Sequence, residues 1–370
     1  MRIAILTLPL HTNYGGILQA YALQTVLERM GHKVDVLDKK RRIKTQLPTS
    51  VKIKRFILKN ILFQDIAPLG EDVAYKRRKF ENKHTWKFAD KYINRREISS
   101  FEEIKEGEYD AIVVGSDQVW RPQYFKNHYK SINDAYLAFA NNWRIKRIAF
   151  APSFGTDIWE YSNEETKECA ELLKQFDYIS LREQSGVELC KTYFNVDAHQ
   201  LLDPTLLLDV SDYIKLFKNK KIQSRKGILC YFLDYNKDKE LLIKETEKIL
   251  DMPSFTVNSR VEDCNNYTTE TQPPVETWLK GFYDAEFILT DSFHACIFSI
   301  IFDKPFIVYG NKERGITRIK SLLKTFNIEK RLIENSAEIF TFKNSLHDKT
   351  PLKQQSINKL YTNSLQALLQ

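Results

Sequence analysis

A histidine and a carboxylate stand at the start of a segment that is otherwise apolar. Residues 290–310 read TDSFHACIFSIIFDKPFIVYG, with Asp291, Ser292 and His294 before a run of Phe and Ile. The run predicts a buried helix with His294 about three residues inside it. Because the amino end of a helix carries a partial positive charge, a neutral imidazole that can exchange protons is favoured there. His294 and Asp291 are therefore candidate catalytic residues of a proton-transfer site, with His294 as acid or base and Asp291 as helix cap or partner, unless the histidine has a structural role alone.

Two glycines follow the first predicted strand, in the segment HTNYGGILQAYALQ. Gly15 and Gly16 would let the backbone approach a ligand at the turn from strand to helix, where free amides favour an anion. Asn13 stands beside them as a candidate contact. The spacing matches neither GxGxxG nor the Walker A motif, so it is a weak indication of a nucleotide. A tight turn without a ligand is the alternative.

An arginine ends another predicted strand, YISLRE at 178–183. A guanidinium group is costly to bury without an anionic partner. Arg182 is therefore expected to pair with Glu183, with Asp203, or with a phosphate or carboxylate ligand. Ser153 stands in the equivalent place after the strand RIAF. These side chains predict a ligand site at the carboxyl edge of the sheet.

The turn GSDQVWRP at 115–122 follows the strand YDAIVVG. Ser116 opens this turn and Asp117 can cap a helix or orient a neighbour. Trp120 and Arg121 offer a flat face and a forked donor for an anion or a sugar. The alternative is that Asp117 is only a cap and that Trp120 belongs to the core.

Short apolar strands alternate with helical segments along most of the chain. Predicted strands lie at 2–7, 32–38, 109–115, 147–153 and 178–183, and a second series lies at 227–234, 285–290 and 304–310. This alternation predicts an α/β fold with two Rossmann-like, doubly wound domains. Ligands bind such folds at the carboxyl ends of the strands. The polar residues described above fall at those ends and would face a cleft between the domains.

Composition also indicates the domain boundaries. At 370 residues, two domains are the expected number. The N-terminal domain is predicted at 1–216 with a basic insertion at about 39–100, and the C-terminal domain at 227–349 after a polar linker. Residues 350–370 are amphipathic and could form a helix that packs back on the N-terminal domain.

The amino-acid content excludes several classes of protein. With 43% hydrophobic and 28% charged residues, the chain is typical of a soluble globular protein, and no apolar run approaches the ~20 residues of a membrane span. The five cysteines lack CxxC spacing and the seven histidines lack HxxxH spacing, so neither a disulfide framework nor a metal site is predicted. The N-terminus reads as a strand rather than a signal peptide, which favours a cytoplasmic location.

Positive charge is concentrated between residues 39 and 59, where nine Lys or Arg occur without an acid. Such a segment could be a solvated insertion, or it could bind an anionic substrate, lipid headgroups or nucleic acid. No nucleic-acid fold signature is present, so nucleic acid is not favoured. A peripheral contact with the inner face of a membrane remains open.

Six segments stand in the order found in the polysaccharide pyruvyl transferase family, which the chain resembles from about residue 2 to 327. They are NYGGILQAYALQ, GSDQVWRP, ISLREQSG, LLDPTLLL, DSFHACIFSIIFDKPF and ERGITRIKSLL. The resemblance implies two Rossmann-like halves of the GT-B type. It also implies transfer of an enolpyruvyl unit from phosphoenolpyruvate to a sugar, where it closes a pyruvate ketal, with no cofactor besides that donor.

The chemistry of ketal formation accounts for the residue types. C3 of the donor must be protonated by a general acid, and cations or helix amides must hold its phosphate and carboxylate. By resemblance His294 is the acid or base and Arg182 is the clamp on phosphoenolpyruvate. The residues that would shape the cleft are Gly15, Gly16, Asp117 and Arg121.

One position departs from the family pattern. Well-studied members carry Arg two residues before the histidine, where this chain has Ser292. A hydroxyl cannot replace a delocalised cation, so Arg314 or Arg318 is expected to supply the charge, or the donor differs from phosphoenolpyruvate. The other hypotheses are a nucleotide-sugar glycosyltransferase and a non-catalytic protein that binds a glycan or an anion.

Overall fold

The computed structural model describes residues 1–40, 78–258, 260–264, 267–311 and 315–342, with a few further residues between 53 and 61. Arg314, the helix expected at 350–370 and much of the basic insertion expected at about 39–100 lie outside the described residues. Within the described part of the chain, no helix is both long and apolar enough to cross a membrane.

The N-terminal half is built on a seven-stranded parallel sheet. Its strands are β1 (Arg2–Leu6), β2 (Lys33–Lys39), β3 (Arg95–Ile98), β4 (Ala111–Val114), β5 (Lys146–Ala149), β6 (Tyr178–Leu181) and β7 (His199–Gln200). Their spatial order is β3-β2-β1-β4-β5-β6-β7, so β1 and β4 are neighbours where the direction of winding reverses. Such a switch point opens a crevice at the carboxyl ends of the strands.

Helices cover this sheet and connect its strands. They are α1 (Tyr14–Arg29), α2 (Lys83–Tyr92), α3 (Pro122–Phe125), α4 (Asn163–Leu173), α5 (Gln184–Leu189) and α6 (Val210–Phe217). Two of them begin where the sequence supplies a capping box, in which side chains satisfy the free amides of the first turn. Ser162 with Glu165 caps α4, and Asp209 with Asp212 caps α6.

The C-terminal half has a five-stranded parallel sheet in the order β14-β13-β12-β8-β9, and β10 and β11 form a separate antiparallel hairpin. The strands are β8 (Ile228–Tyr231), β9 (Ser254–Phe255), β10 (Arg260–Cys264), β11 (Tyr267–Thr271), β12 (Phe287–Thr290), β13 (Phe306–Tyr309) and β14 (Leu332–Ile333). The helices are α7 (Lys237–Leu250), α8 (Val275–Asp284), α9 (Phe293–Ile301) and α10 (Ile316–Thr325). The predicted α/β fold with two Rossmann-like halves is confirmed.

The two halves contact each other directly beside the cleft. The ring of Tyr14 stacks on Trp278 with their centroids 5.2 Å apart, and its hydroxyl donates to the carbonyl of Pro273 at 2.6 Å. Farther along the interface, the side-chain amide of Gln200 donates to the hydroxyl of Ser321 at 2.8 Å. One hydrophobic cluster includes buried residues of both halves. The carboxyl ends of the two sheets are therefore held facing each other.

Candidate functional site

A cavity of about 330 Å³ lies between the two halves. Its wall is formed by the turns after β1 and β4, the segment after α3, the loop after β8 and the start of α9. The predicted site residues that line it are Asn13, Gly15, Gly16, Asp117, Asp291, Ser292, His294 and Arg318. Other predicted residues lie behind this wall, namely Ser116, Arg121, Ser153 and Arg182.

His294 is the second residue of α9 rather than the third. The helix begins at Phe293 and every residue of it is buried, so the predicted buried helix is confirmed. Ser292 occupies the cap position, but its side chain makes no capping hydrogen bond. Nε2 of His294 lies 3.5 Å from Oδ2 of Asp203. The imidazole therefore stands between the positive end of a helix and a carboxylate of the other half.

Asp203 links His294 with Arg182. Its Oδ2 lies 2.9 Å from Nη2 of Arg182, and its Oδ1 accepts hydrogen bonds from the amide and hydroxyl of Thr205 at 3.0 and 2.5 Å. Burial alone would raise the pKa of the Asp203 carboxyl. The charge of Arg182, with smaller contributions from the nearby His294 and the Thr205 hydroxyl, outweighs burial and holds that pKa well below its usual range. Asp203 is therefore an anion at neutral pH.

Arg182 forms an ion pair with Asp203, which is one of the alternatives that the sequence left open. Its Nη2 also donates to Oγ of Ser116 at 2.8 Å, and its Nη1 lies 3.5 Å from Oδ1 of Asp117. The side chain is only 2% exposed. Its guanidinium carbon lies 4.9 Å from the centre of the Phe293 ring. Arg182 thus approaches the cavity through Phe293 rather than at its surface.

Arg318 brings a second cation to the same ring from α10 of the C-terminal half. Its guanidinium carbon lies 5.1 Å from the centre of Phe293, and its Nη1 lies 3.7 Å from Oδ1 of Asp117. Burial and the nearby charge of Arg182 lower the pKa of Arg318 to about 10. Unlike Arg182, Arg318 lines the cavity, in the same wall as Ser292. An anion in the cavity would meet this charge directly.

Asp291 is held by groups of the C-terminal half. Its Oδ1 accepts from the amide of Leu233 at 2.7 Å, and its Oδ2 lies 2.6 Å from Nζ of Lys239 and 3.2 Å from Nδ2 of Asn311. The expectation that Asp291 caps α9 is wrong, because these donors occupy both carboxylate oxygens. Among the described residues no hydrogen bond joins it to His294. Its main contact is a buried ion pair with Lys239, which is 3% exposed.

The loop after β1 packs closely against the other residues of the cavity. Nδ2 of Asn13 donates to Oδ2 of Asp117 at 3.2 Å. A β-carbon at Gly15 would lie 2.0 Å from Nδ1 of His294, whereas one at Gly16 would lie 3.3 Å from Asn13 and Asp117. Because no real β-carbon tolerates the first distance, a glycine at position 15 is required by the approach of the imidazole.

Trp120 and Arg121 do not face a ligand. Trp120 is fully buried and its Nε1 donates to the carbonyl of Ala135 at 3.1 Å. Nη2 of Arg121 donates to Oε1 of Glu160 at 3.0 Å. The expectation of a flat face and a free fork is therefore wrong, and the core alternative for Trp120 holds. A carboxylate 39 residues later in the chain satisfies the arginine.

Ser153 supports the site from behind. Its hydroxyl donates to Oε1 of Glu183 at 2.8 Å and accepts from the amide of Gly155 at 2.9 Å. Burial raises the pKa of the Glu183 carboxyl, although the charge of Arg318 and the hydrogen bond from Ser153 oppose that rise. Ser153 therefore organises a buried carboxylate next to the arginine pair.

Sequence reasoning missed several residues of the cavity wall. His128 and Tyr124 come from the segment around α3, and Trp278 comes from α8. No strand directly precedes them, so the rule that placed the other residues could not find them. His11 was visible in the segment HTNYGG as a polar residue after a strand, and it lines the cavity as well.

Comparison with known proteins assigns both the family and the fold. The family model for polysaccharide pyruvyl transferase matches residues 13–313 of the chain. No curated protein matches the sequence closely enough to count as a relative. Among solved structures, the UDP-GlcNAc 2-epimerase of Neisseria meningitidis bound to UDP-GlcNAc is similar with a TM-score of 0.51 and 11% identity, over 100% of both chains. That similarity shows the fold, and the expected GT-B-like architecture is confirmed.

Further solved structures align over comparable lengths. The Methanocaldococcus jannaschii UDP-GlcNAc 2-epimerase in complex with UDP-GlcNAc and UDP has a TM-score of 0.47 and 12% identity, over 98% of this chain and 100% of that one. Arabidopsis thaliana UGT89C1 complexed with quercetin has a TM-score of 0.46 and 11% identity, over 98% of this chain and 94% of that one.

Proposed function

The chain belongs to the polysaccharide pyruvyl transferase family, and we propose from this premise that it transfers a pyruvyl group from phosphoenolpyruvate to a sugar. The acceptor would be part of an exopolysaccharide or of its lipid-linked precursor and would present two hydroxyls that close a pyruvate ketal. No cofactor besides the donor is needed for this reaction.

The observation that carries the proposal is a histidine and an arginine pair gathered around Phe293. His294 and Arg318 line one cavity, and the guanidinium carbons of Arg182 and Arg318 lie 4.9 and 5.1 Å from the Phe293 ring. Phosphoenolpyruvate carries a phosphate and a carboxylate, and two neighbouring cations suit such a ligand. Arg318 would contact the donor and so supply the charge that Ser292 lacks. Arg182 would act on the donor through its positive charge, from behind the Phe293 ring.

The environment of His294 suits proton transfer to C3 of the donor. The ionised Asp203 lies 3.5 Å from Nε2 and would fix the orientation of the ring. Because Gly15 has no side chain, the imidazole can lie against the start of α1 while His294 still lines the cavity where the donor would bind. Protonation of C3 would make C2 electrophilic, and an acceptor hydroxyl would attack it.

The test is incubation with phosphoenolpyruvate and a panel of lipid-linked or nitrophenyl sugars, with phosphate release and the mass of the product as readouts. The proposal requires both signals, and His294→Ala should abolish them while phosphoenolpyruvate still raises the melting temperature. His199→Ala, at an exposed histidine on β7, is the matched control and should keep full turnover. Stabilisation by nucleotide sugars alone would show that the chain is a glycosyltransferase instead.

The location of the protein belongs to the same proposal. A cytoplasmic enzyme that modifies a lipid-linked glycan would work at the inner face of the membrane, where anionic headgroups attract basic segments. The nine Lys or Arg between residues 39 and 59 are the candidate contact. Sedimentation with vesicles of anionic lipid, compared with vesicles of neutral lipid, tests it. Equal recovery with both kinds of vesicle would refute the contact.

A further inference from the structure

Two histidines share the N-terminal wall of the cavity. His11 follows β1 and His128 follows α3, and their rings lie with centroids 5.2 Å apart at an angle of 44°. Both line the same cavity as His294. The reaction described above uses one histidine for the donor and leaves these two without a role.

Their hydrogen bonds distinguish the two rings. The amide of Thr12 donates to Nδ1 of His11 at 2.8 Å, so this nitrogen holds a lone pair and the proton of the neutral ring lies on Nε2. Among the described residues, neither ring nitrogen of His128 has a hydrogen-bond partner. Nζ of Lys39 donates to the main-chain carbonyl of His128 and not to its ring. His11 is therefore prepared to donate a hydrogen bond, whereas His128 keeps an available lone pair.

Burial, together with the surrounding charges, lowers the pKa of both rings and favours their neutral forms. Burial and the charge of Arg78 lower the pKa of His11, against a smaller opposing effect of Asp117. Burial, His11, Lys39 and Arg78 lower the pKa of His128 to about 4. An anion in the cavity would offset these cations and raise the affinity of His128 for a proton. The ring would become an effective base only while the anionic donor is bound.

We propose that His11 and His128 form the acceptor subsite, in which His11 donates a hydrogen bond to a sugar hydroxyl and His128 removes its proton. The inference rests on the proposed function and extends it by naming the base and the subsite. The substrate class is a sugar with two neighbouring hydroxyls that enters from the N-terminal wall, opposite α9. His128 is then a catalytic residue. His11 fixes the position of the sugar oxygen that attacks C2 of the donor.

The proposed reaction balances in protons and electrons with His128 as the base and His294 as the acid. The lone pair of His128 takes the proton of the first hydroxyl, and the oxygen forms its bond to C2 of the donor. The electrons of the C2–C3 double bond take a proton from His294. The second hydroxyl then forms its bond to C2 as the bond from C2 to the phosphate oxygen breaks, with the electron pair leaving on phosphate. The second hydroxyl proton leaves with the phosphate, and both rings are restored when His128 releases its proton to solvent and His294 takes one up.

The experiment compares His128→Gln, His11→Gln and His11→Ala with the wild-type chain, and uses His199→Gln as the control. Base removal should lower kcat of His128→Gln by about 10²- to 10⁴-fold, with the shift in melting temperature by phosphoenolpyruvate unchanged. The acidic limb of its pH–rate profile should also be lost. His11→Ala should raise KM for the sugar, and His11→Gln, which keeps a donor, should recover most of that loss.

The outcomes separate this inference from the function on which it rests. If the wild-type chain neither binds phosphoenolpyruvate nor releases phosphate, both fail together. If it does both and His128→Gln keeps its kcat and pH profile, only the acceptor subsite is wrong. A loss of phosphoenolpyruvate binding in His128→Gln would also overturn the assignment, because the ring would then serve the donor.

Discussion

Nδ1 of His294 occupies the space that a side chain at position 15 would need, since a β-carbon on Gly15 would lie 2.0 Å from it. The two residues come from opposite halves of the protein. Gly15 lies in α1, after β1, and His294 lies in α9, after β12. The backbone of one half therefore determines where the imidazole of the other half, the proposed proton-transfer group, can lie.

Gly15→Ala should lower kcat strongly without unfolding the chain. The added methyl group must displace the imidazole, and a shift of about 1 Å at a reacting group can cost 10²-fold. Steady-state phosphate release and thermal melting measure the two effects. Gly16→Ala is the control, because its β-carbon would lie 3.3 Å from Asn13 and Asp117, and it should lose far less activity. Equal losses in the two variants would contradict the steric argument.

Asp203→Asn should destabilise the protein by about 3–5 kcal/mol, because the buried charge of Arg182 would lose its main partner. Urea unfolding at neutral pH measures the change in the free energy of unfolding. Asp197→Asn, at an exposed carboxylate that contacts Lys191, is the control and should have little effect. A loss below 1 kcal/mol in Asp203→Asn would mean that other groups compensate Arg182.

The same carboxylate should determine part of the acid sensitivity. The pKa of Asp203 is depressed in the folded state, so its stabilising contribution is complete above the unfolded value of about 3.9 and falls as pH drops below it. Unfolding free energies measured from pH 6 down to pH 2 should therefore decline less in Asp203→Asn than in the wild-type chain. Parallel curves for the two proteins would exclude this linkage.

Arg318→Gln should weaken binding of phosphoenolpyruvate by about 10- to 100-fold, the range expected when hydrogen bonds to a charged ligand are lost. The fold should tolerate the change, since the substitution removes a charge that lies close to Arg182. Calorimetric titration measures the affinity. Lys324→Gln, at an exposed position of the same helix, controls for net charge. Unchanged binding in Arg318→Gln would return Arg314 to consideration.

Lys239→Met should destabilise the C-terminal half by about 3–5 kcal/mol, because Asp291 would be left buried without its cation. The double variant with Asp291→Asn should recover part of that loss. Unfolding by urea measures all three proteins, and Lys244→Met, at an exposed site of α7, is the control. If Asp291→Asn alone abolishes turnover at unchanged stability, Asp291 acts in catalysis as first predicted from the sequence.

Much of the fold and part of the site could be predicted from the local sequence pattern. Short apolar strands alternate with helices, and this periodicity is visible without any partner contact. Because parallel strands present their carboxyl ends at one edge, Asn13, Asp117 and His294 were predicted together and do line one cavity. The helix at 293–301 was also predictable, since nearly all its residues are apolar.

Partner choice across long separations was not predictable. Arg121 binds Glu160 and Asp291 binds Lys239, although Arg121 was predicted to bind a ligand and Asp291 to act with His294. Nothing in local spacing says which of several carboxylates will meet a given cation once both sheets are formed. The pairing of His11 with His128 has the same origin, because α3 and its flanking turns bring the second ring to the wall.

The size of the cavity limits how a glycan can meet this enzyme. About 330 Å³ lies near the lower end of the range for small-molecule sites, and the donor would occupy part of it. We expect that a single sugar ring can enter at a time, with the rest of the chain outside. A unit at a chain terminus or on a side branch meets that requirement, whereas a unit within a stiff main chain does not. This size limit would also set the time of the reaction, because the sugar would be modified in the repeat unit before that unit is joined into the polymer.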